Sequence, residues 1–160
     1  MATVRSRVHR ILRSCENYHP WQGQSTPGHR AFSLGPGEEP LGIYWQPGTE
    51  VSTSVLVTDQ GLHVGANTVK LTIPYSEIHR LEAPPEKAAV RGFTVELKNG
   101  ERIFLPIAGG GPRFFDAYEF MRFVQRTASD AARPTPASEA EPEPVGQRPE
   151  GKIDPTDQGS

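Results

Sequence analysis

One cysteine, Cys15, stands among the 160 residues. A single thiol excludes an internal disulfide and any cage of cysteine ligands around zinc. Apolar residues are scarce at 35%, below the ~45–50% (Gly included) of an ordinary domain, so the core is small. No apolar run approaches the ~18 residues of a membrane-spanning helix. No basic stretch leads into an apolar run with a small-residue cleavage site, so no secretory signal is expected. These absences together predict a reducing, cytoplasmic compartment. What is plentiful is Gly and Pro, 16 of each, one residue in five against a usual roughly 12%. The length predicts one domain.

Charge is nearly balanced overall, at −2, but unevenly spread. Arg5, Arg7, Arg10 and Arg13 precede the first acid, Glu16, while residues 130–160 carry seven acids against Arg133, Arg148 and Lys152. The rest is near neutral, so no broad basic face points to nucleic acid.

Residues 3–18 have helical spacing. Val4, Val8, Ile11, Leu12, Cys15 and Tyr18 share one face, the arginines and His9 take the other, and Thr3 is placed to cap. Residues 19–38 lose periodicity and read as a connecting loop anchored by Trp21 and Phe32. Residues 1–38 thus form an N-terminal amphipathic helix and loop. From 39 to 107 the period is two. Leu41, Ile43 and Trp45 suggest a strand, followed by Val55/Val57, Leu62/Val64, Val69/Leu71/Ile73/Tyr75, Ile78/Leu81, Phe93/Val95/Leu97 and Ile103/Leu105/Ile107. A two-residue turn at Asn99-Gly100 would put Ile103 and Leu105 on the face opposite Phe93, Val95 and Leu97. A three-residue loop, Lys98–Gly100, pairs Val95 with Ile103 and Phe93 with Leu105 and unites all five. A one-residue slip flips every side chain, so burial selects the three-residue loop, with Gly100 left-handed. The same logic predicts a four-residue loop Thr58–Gly61 that pairs Val57 with Leu62 and Val55 with Val64.

After Gly109-Gly110-Gly111, Pro112 suits a first helical turn. The helix it opens runs to about Ala128, with Phe114, Ala117, Tyr118, Met121, Val124 and Ala128 as its apolar stripe. Residues 130–160 hold six prolines and no aromatic residue. They cannot bury enough apolar area to offset ordering, and read as a disordered, acidic, Pro-rich tail.

The segments Val55-Leu56-Val57-Thr58-Asp59-Gln60-Gly61-Leu62, Ile73-Pro74-Tyr75-Ser76-Glu77-Ile78 and Phe93-Thr94-Val95-Glu96-Leu97-Lys98-Asn99-Gly100 precede Leu105-Pro106 and the amphipathic helix. In that order they resemble the pleckstrin-homology-like superfold, in particular small bacterial, GRAM-like members. The resemblance implies a mainly β fold with flanking helices, in residues 39–129. Two orthogonal antiparallel sheets form a partly open barrel capped by the C-terminal helix. It implies binding, to lipid headgroups in some members and to peptides or proteins in others, without catalysis. Lipid-binding members place basic residues between the first two strands. Here that loop, Gln46–Thr53, has no Lys or Arg and contains Glu50, which disfavours inositol phosphates.

Catalytic chemistry finds no foothold. There is no GxSxG elbow, and Cys15 lies on an apolar helical stripe. His9, His19, His29, His63 and His79 show no metal spacing, and His63 and His79 are expected to face outward. Glu38 and Glu39 are adjacent and point apart. The Gly109–Gly111 run lacks the lysine of a phosphate loop. No catalytic residue, metal or cofactor is expected.

The expected function is therefore a non-enzymatic interaction or adaptor module whose partner is another protein or peptide. The alternative is a peripheral membrane protein holding anionic lipid through Arg5, Arg7, Arg10 and Arg13. The candidate partner-binding face lies on the back of the terminal helix. Phe115 and Phe123 fall there among Asp116, Glu119, Arg122 and Arg126, and each phenylalanine left in water would forgo roughly 1.5–3 kcal/mol of burial. Three readings stand: a lid from residues 1–38, using Val8, Ile11 and Leu12 or Trp21; a groove for a partner's helix or strand; or a helix rotated from this estimate.

Overall fold

The computed structural model describes residues 2–26, 32–45, 54–66, 69–83, 90–109 and 115–133. Helix α1 spans Val4–Ile11, and the Thr3 hydroxyl accepts from the Ser6 N–H at 3.1 Å as its cap. A 3-10 turn, Leu12–Ser14, follows, and then strand β1, Tyr18–Pro20. The remaining strands are β2 Pro40–Tyr44, β3 Val55–Thr58, β4 Gly61–Ala66, β5 Val69–Pro74, β6 Ile78–Glu82, β7 Phe93–Leu97 and β8 Arg102–Leu105. Helix α2 closes the fold over Phe115–Ala131.

The architecture is mainly β. Two antiparallel sheets, β1-β2-β3-β4-β5 and β6-β7-β8, do not join into a closed barrel among the described residues. Both hairpins take the register that burial requires. Val57 pairs with Leu62 and Val55 with Val64. Val95 pairs with Ile103 and Phe93 with Leu105. Gly100 sits at φ +91, which an L side chain resists, and its N–H donates to Leu97 O at 2.9 Å. Ile103 and Leu105 are buried while Phe104, between them, is exposed. The expected core is buried together, apart from half-buried Leu71.

The first helix is shorter than its apolar spacing predicts. Val8, Ile11, Leu12 and Cys15 are all buried, yet the helix stops at Ile11 and Tyr18 enters the sheet opposite Tyr44. The Asp116 carboxylate explains the stop: it accepts from the N–H groups of Glu16, at 2.9 Å, and Asn17, at 3.2 Å, donors that a longer helix would have used internally. Residues 1–38 therefore supply a strand to the larger sheet, and α1 packs against α2. Arg7 binds the Arg126 carbonyl at 2.6 Å and pairs with Asp130. Asp130, placed in the tail by composition, belongs to α2.

Helix α2 is rotated by about a quarter turn from its expected stripe, at ~100° per residue. Its buried side carries Asp116, Ala117, Phe120, Phe123, Val124, Thr127 and Ala128. Tyr118, expected inside, is exposed, and Met121 is half-buried. Aromatic packing sets the rotation. Phe120 meets Tyr44 edge-on at 5.8 Å and Phe123 at 6.0 Å, while Phe123 meets Tyr75 at 6.1 Å. Pro112 and Phe114, the Gln46–Thr53 loop and the tail beyond Arg133 lie outside the described residues.

Candidate functional site

Strand β6 forms one margin of the three-stranded sheet, and its outer edge pairs with no other strand among the described residues. A strand in that position offers unpaired backbone N–H and C=O groups. Its register against β7 shifts between Ile78 and Arg80, a bulge centred on exposed His79. Facing this edge is α2 from Met121 onward, whose Met121, Gln125, Ala128 and Ser129 form the opposite wall. The groove between them has a volume of about 470 Å³, with Ile78 and Leu81 in its strand wall. Small side chains at Ala128, Ser129 and Ala132 keep the helix wall low.

The outer face of the same sheet is occupied by charge. Arg80 Nε donates to Glu96 at 3.0 Å, Arg102 Nη2 to Glu82 at 2.5 Å, and Arg80 reaches Glu82 at 3.3 Å. The hydrogen bond from Arg80 is the main cause that holds the Glu96 carboxyl below its usual range; burial opposes it, and the charges of Arg80 and Arg102 add to it. Binding specificity at this margin would therefore come from the strand edge and the inner wall.

The residues expected to bind a partner are divided by the rotation of α2. Phe123 is fully buried in the core, which removes it from any surface site. It lies at the edge of the buried arc, one turn from Phe120, because Tyr75 and Phe120 supply the aromatic surface it packs on. Phe115 is 44% exposed at the start of the helix. Glu119 and Arg122 pair with each other at 3.3 Å, and Arg126 is exposed. These residues do not converge on a cavity with Phe123.

The arginines of α1 divide as well. Arg7 is largely covered by α2, and exposed Arg5 pairs with Glu39. Arg10 and Arg13 are exposed. The apolar face of α1 is spent on the core, so only its basic side remains for a membrane surface. No described helix is long and apolar enough to cross a membrane.

Two buried polar networks escaped the sequence reading. In the first, Asp116 takes the Tyr44 hydroxyl at 2.9 Å besides its two backbone donors, and the same hydroxyl accepts the Gly109 N–H at 2.9 Å. Cys15 lies beside this cluster. Burial, with the negative charges of Asp116 and Glu119, pushes its thiol up to about 12, which leaves it protonated and unreactive. In the second, His63 is buried, contrary to its expected outward position. Its Nε2 meets Glu38 at 2.7 Å and its Nδ1 meets the Thr72 hydroxyl at 3.2 Å. The alternation of β4 points His63 away from the main core, but the segment preceding β2 folds over it and brings Glu38. Glu39 faces Arg5 instead, so the two adjacent acids do point apart. Both networks tie segments together, and Glu38 and Thr72 of the second also line a surface cavity of about 550 Å³ that Arg7, Asp59 and Asp130 share. Among the described residues, no group of three or more His, Cys, Asp or Glu side chains is placed to hold a metal.

The groove left no mark in the hydrophobic pattern. Its one available signal was that β6 precedes Pro84-Pro85 and starts the second sheet. Asp116, expected on the charged back of the helix, is instead fully buried, because the rotation of α2 turns it toward the Tyr44 hydroxyl and the amides of Glu16 and Asn17. Comparison with protein-family models, curated proteins and solved structures finds no match for this chain.

Proposed function

We propose that the chain is a non-enzymatic interaction module of the pleckstrin-homology-like kind, which takes an extended peptide of a partner protein into the groove between β6 and α2. The observation that carries this reading is the juxtaposition of an unpaired strand edge with a low, partly apolar helix wall. A peptide laid there gains backbone hydrogen bonds from β6. Every second side chain turns toward Leu81, Met121 and Ala128, while the alternate ones meet the charged outer face. The bulge at His79 limits continuous pairing to the Arg80–Glu82 end, so a short segment suffices.

The test is selection of a displayed library of linear peptides on the full chain, followed by amide-shift mapping of an enriched peptide. Enrichment of alternating apolar sequences, with shifts confined to β6 and to α2 from Met121 onward, is expected. Filling the groove at exposed positions with Gln125→Trp and Ser129→Trp should abolish binding with an unchanged melting temperature. Shifts centred elsewhere, or binding that survives both substitutions, would overturn the proposal.

A further inference from the structure

The cavity of about 550 Å³ opens where the start of α1, the β3–β4 turn, the 3-10 turn Tyr75–Glu77 and the end of α2 converge. Its size is that of a small-molecule site. It shares no residue with the β6 groove. Ala128, Ser129 and Ala132 serve the groove, whereas Thr127, Asp130 and Ala131 line the cavity, on the opposite side of the helix at ~100° per residue. The lining is negative, with Glu38, Asp59 and Asp130 against one cation, Arg7. The end of α2 adds the partial negative charge of its carbonyls, and its last turn carries no basic residue to offset it. Glu38 is already held by Thr58, His63 and Gly35, and Asp130 by Arg7. Asp59 spends one oxygen on the Glu39 N–H, at 2.8 Å, and pairs with no cation among the described residues. A positive group that enters the cavity is therefore drawn to Asp59. These acids are too dispersed to serve as a set of metal ligands.

Two buried polar atoms set a second, independent requirement. Arg7 spends Nη1 on the Arg126 carbonyl and Nη2 on Asp130, and its Nε has no partner among the described residues. Thr127 stands in the cavity wall, 3% exposed, and its hydroxyl is also unpartnered. Buried donors of this kind ordinarily meet an acceptor. A carboxylate in that place would be repelled by Asp130, which lies against the same guanidinium. The acceptor that fits is a neutral oxygen. We propose that the cavity binds a small aminated polyol, an amino alcohol or amino sugar. Its ammonium meets Asp59, a hydroxyl meets Thr127 and Arg7, and its carbon skeleton lies on Val4 and Pro74.

The probes are glucosamine and ethanolamine, titrated separately into the full chain at about pH 6, where an amine is protonated, and followed by amide shifts. At least one should give saturable shifts at residues 4–7, 59–61 and 127–131. Glucose, which lacks the charge, should not saturate. Butylamine, which lacks the hydroxyl, should bind more weakly by roughly threefold or more. Asp59→Asn keeps an acceptor for the Glu39 N–H and should weaken the aminated probe by roughly tenfold or more. Thr127→Val should weaken it by roughly threefold. The same substitution replaces an unpartnered hydroxyl with a methyl group, so the melting temperature of the free protein should not fall. Absence of saturable shifts with both probes, shifts centred elsewhere, or unchanged binding in Asp59→Asn would overturn the proposal. Equal binding of glucose would refute the cation, and equal binding of butylamine the hydroxyl. A lower melting temperature in Thr127→Val would show that its hydroxyl is already held, and would also overturn the site.

Discussion

The Tyr44 hydroxyl donates to Asp116 Oδ2 at 2.9 Å, joining the second strand of the larger sheet to the first turn of α2. Both residues are buried, and the contact lies at the meeting point of the chain after α1, strand β2 and the segment entering α2. It satisfies a carboxylate that would otherwise be costly inside the protein.

Removing that carboxylate should be among the most damaging single changes. Asp116→Ala strands two backbone N–H groups and the Tyr44 hydroxyl, each worth ~1–3 kcal/mol when left unsatisfied. Denaturant unfolding should show a loss of about 3 kcal/mol or more. Gly109→Ala should also destabilise, by roughly 1–3 kcal/mol from overpacking. An added Cβ would stand 2.3 Å from Asn17 Nδ2 and 2.7 Å from the Tyr44 oxygen.

The two phenylalanines of α2 should behave oppositely. Phe123→Ala opens a cavity in the aromatic cluster and should cost ~3–5 kcal/mol. Phe115→Ser alters an exposed position and should stay within about 0.5 kcal/mol of the parent. Equal effects in urea unfolding would contradict the helix rotation.

The β7–β8 register gives a similar contrast. Ile103→Ala should cost ~2–5 kcal/mol. Phe104→Ser, one residue along and 52% exposed, should change stability little, because its side chain lies on the outer face. The midpoint difference between the two variants reads the register directly.

Glu38 confers a pH dependence. Burial alone would raise its carboxyl, but hydrogen bonds from Thr58, Gly35 and His63 outweigh it, so the folded pKa lies below the ordinary value of 4.5. A lowered folded pKa means that the stabilisation is fully present above the unfolded carboxylate pKa. It is lost as pH falls through the folded value. Melting curves from pH 7 down to about pH 3 should therefore show a decline in the parent that is shallower in Glu38→Gln.

The Cys15 thiol should resist alkylation in the folded protein at pH 8 and react on unfolding, because its pKa is pushed up to about 12 in a buried site. Rapid native modification, followed by mass, would contradict that burial.

The sheet registers were legible in the chain because alternation has a period of two and a single slip would turn a whole strand outward. Val95 opposite Ile103 and Val57 opposite Leu62 follow from that constraint alone. The cap at Thr3 and the left-handed Gly100 are equally local. The rotation of α2 was not legible. Tyr118 and Phe123 flank its apolar arc on opposite sides, and helical periodicity alone does not choose between them. Tyr75 and Tyr44, distant in sequence, select Phe123 and Phe120 for the interior. The end of α1 was hidden for the same reason, since its apolar spacing continues to Tyr18 and only Asp116, a hundred residues on, draws away the amides of Glu16 and Asn17. His63 reads as a surface residue of an alternating strand until Glu38 is folded over it. The groove beside β6 arises where a sheet margin meets a helix, a relation between elements that no local pattern encodes. Short-range periodicity specifies which faces are apolar; long-range packing and the pairing of buried polar groups decide where each element stops, how it is turned and which surfaces remain open.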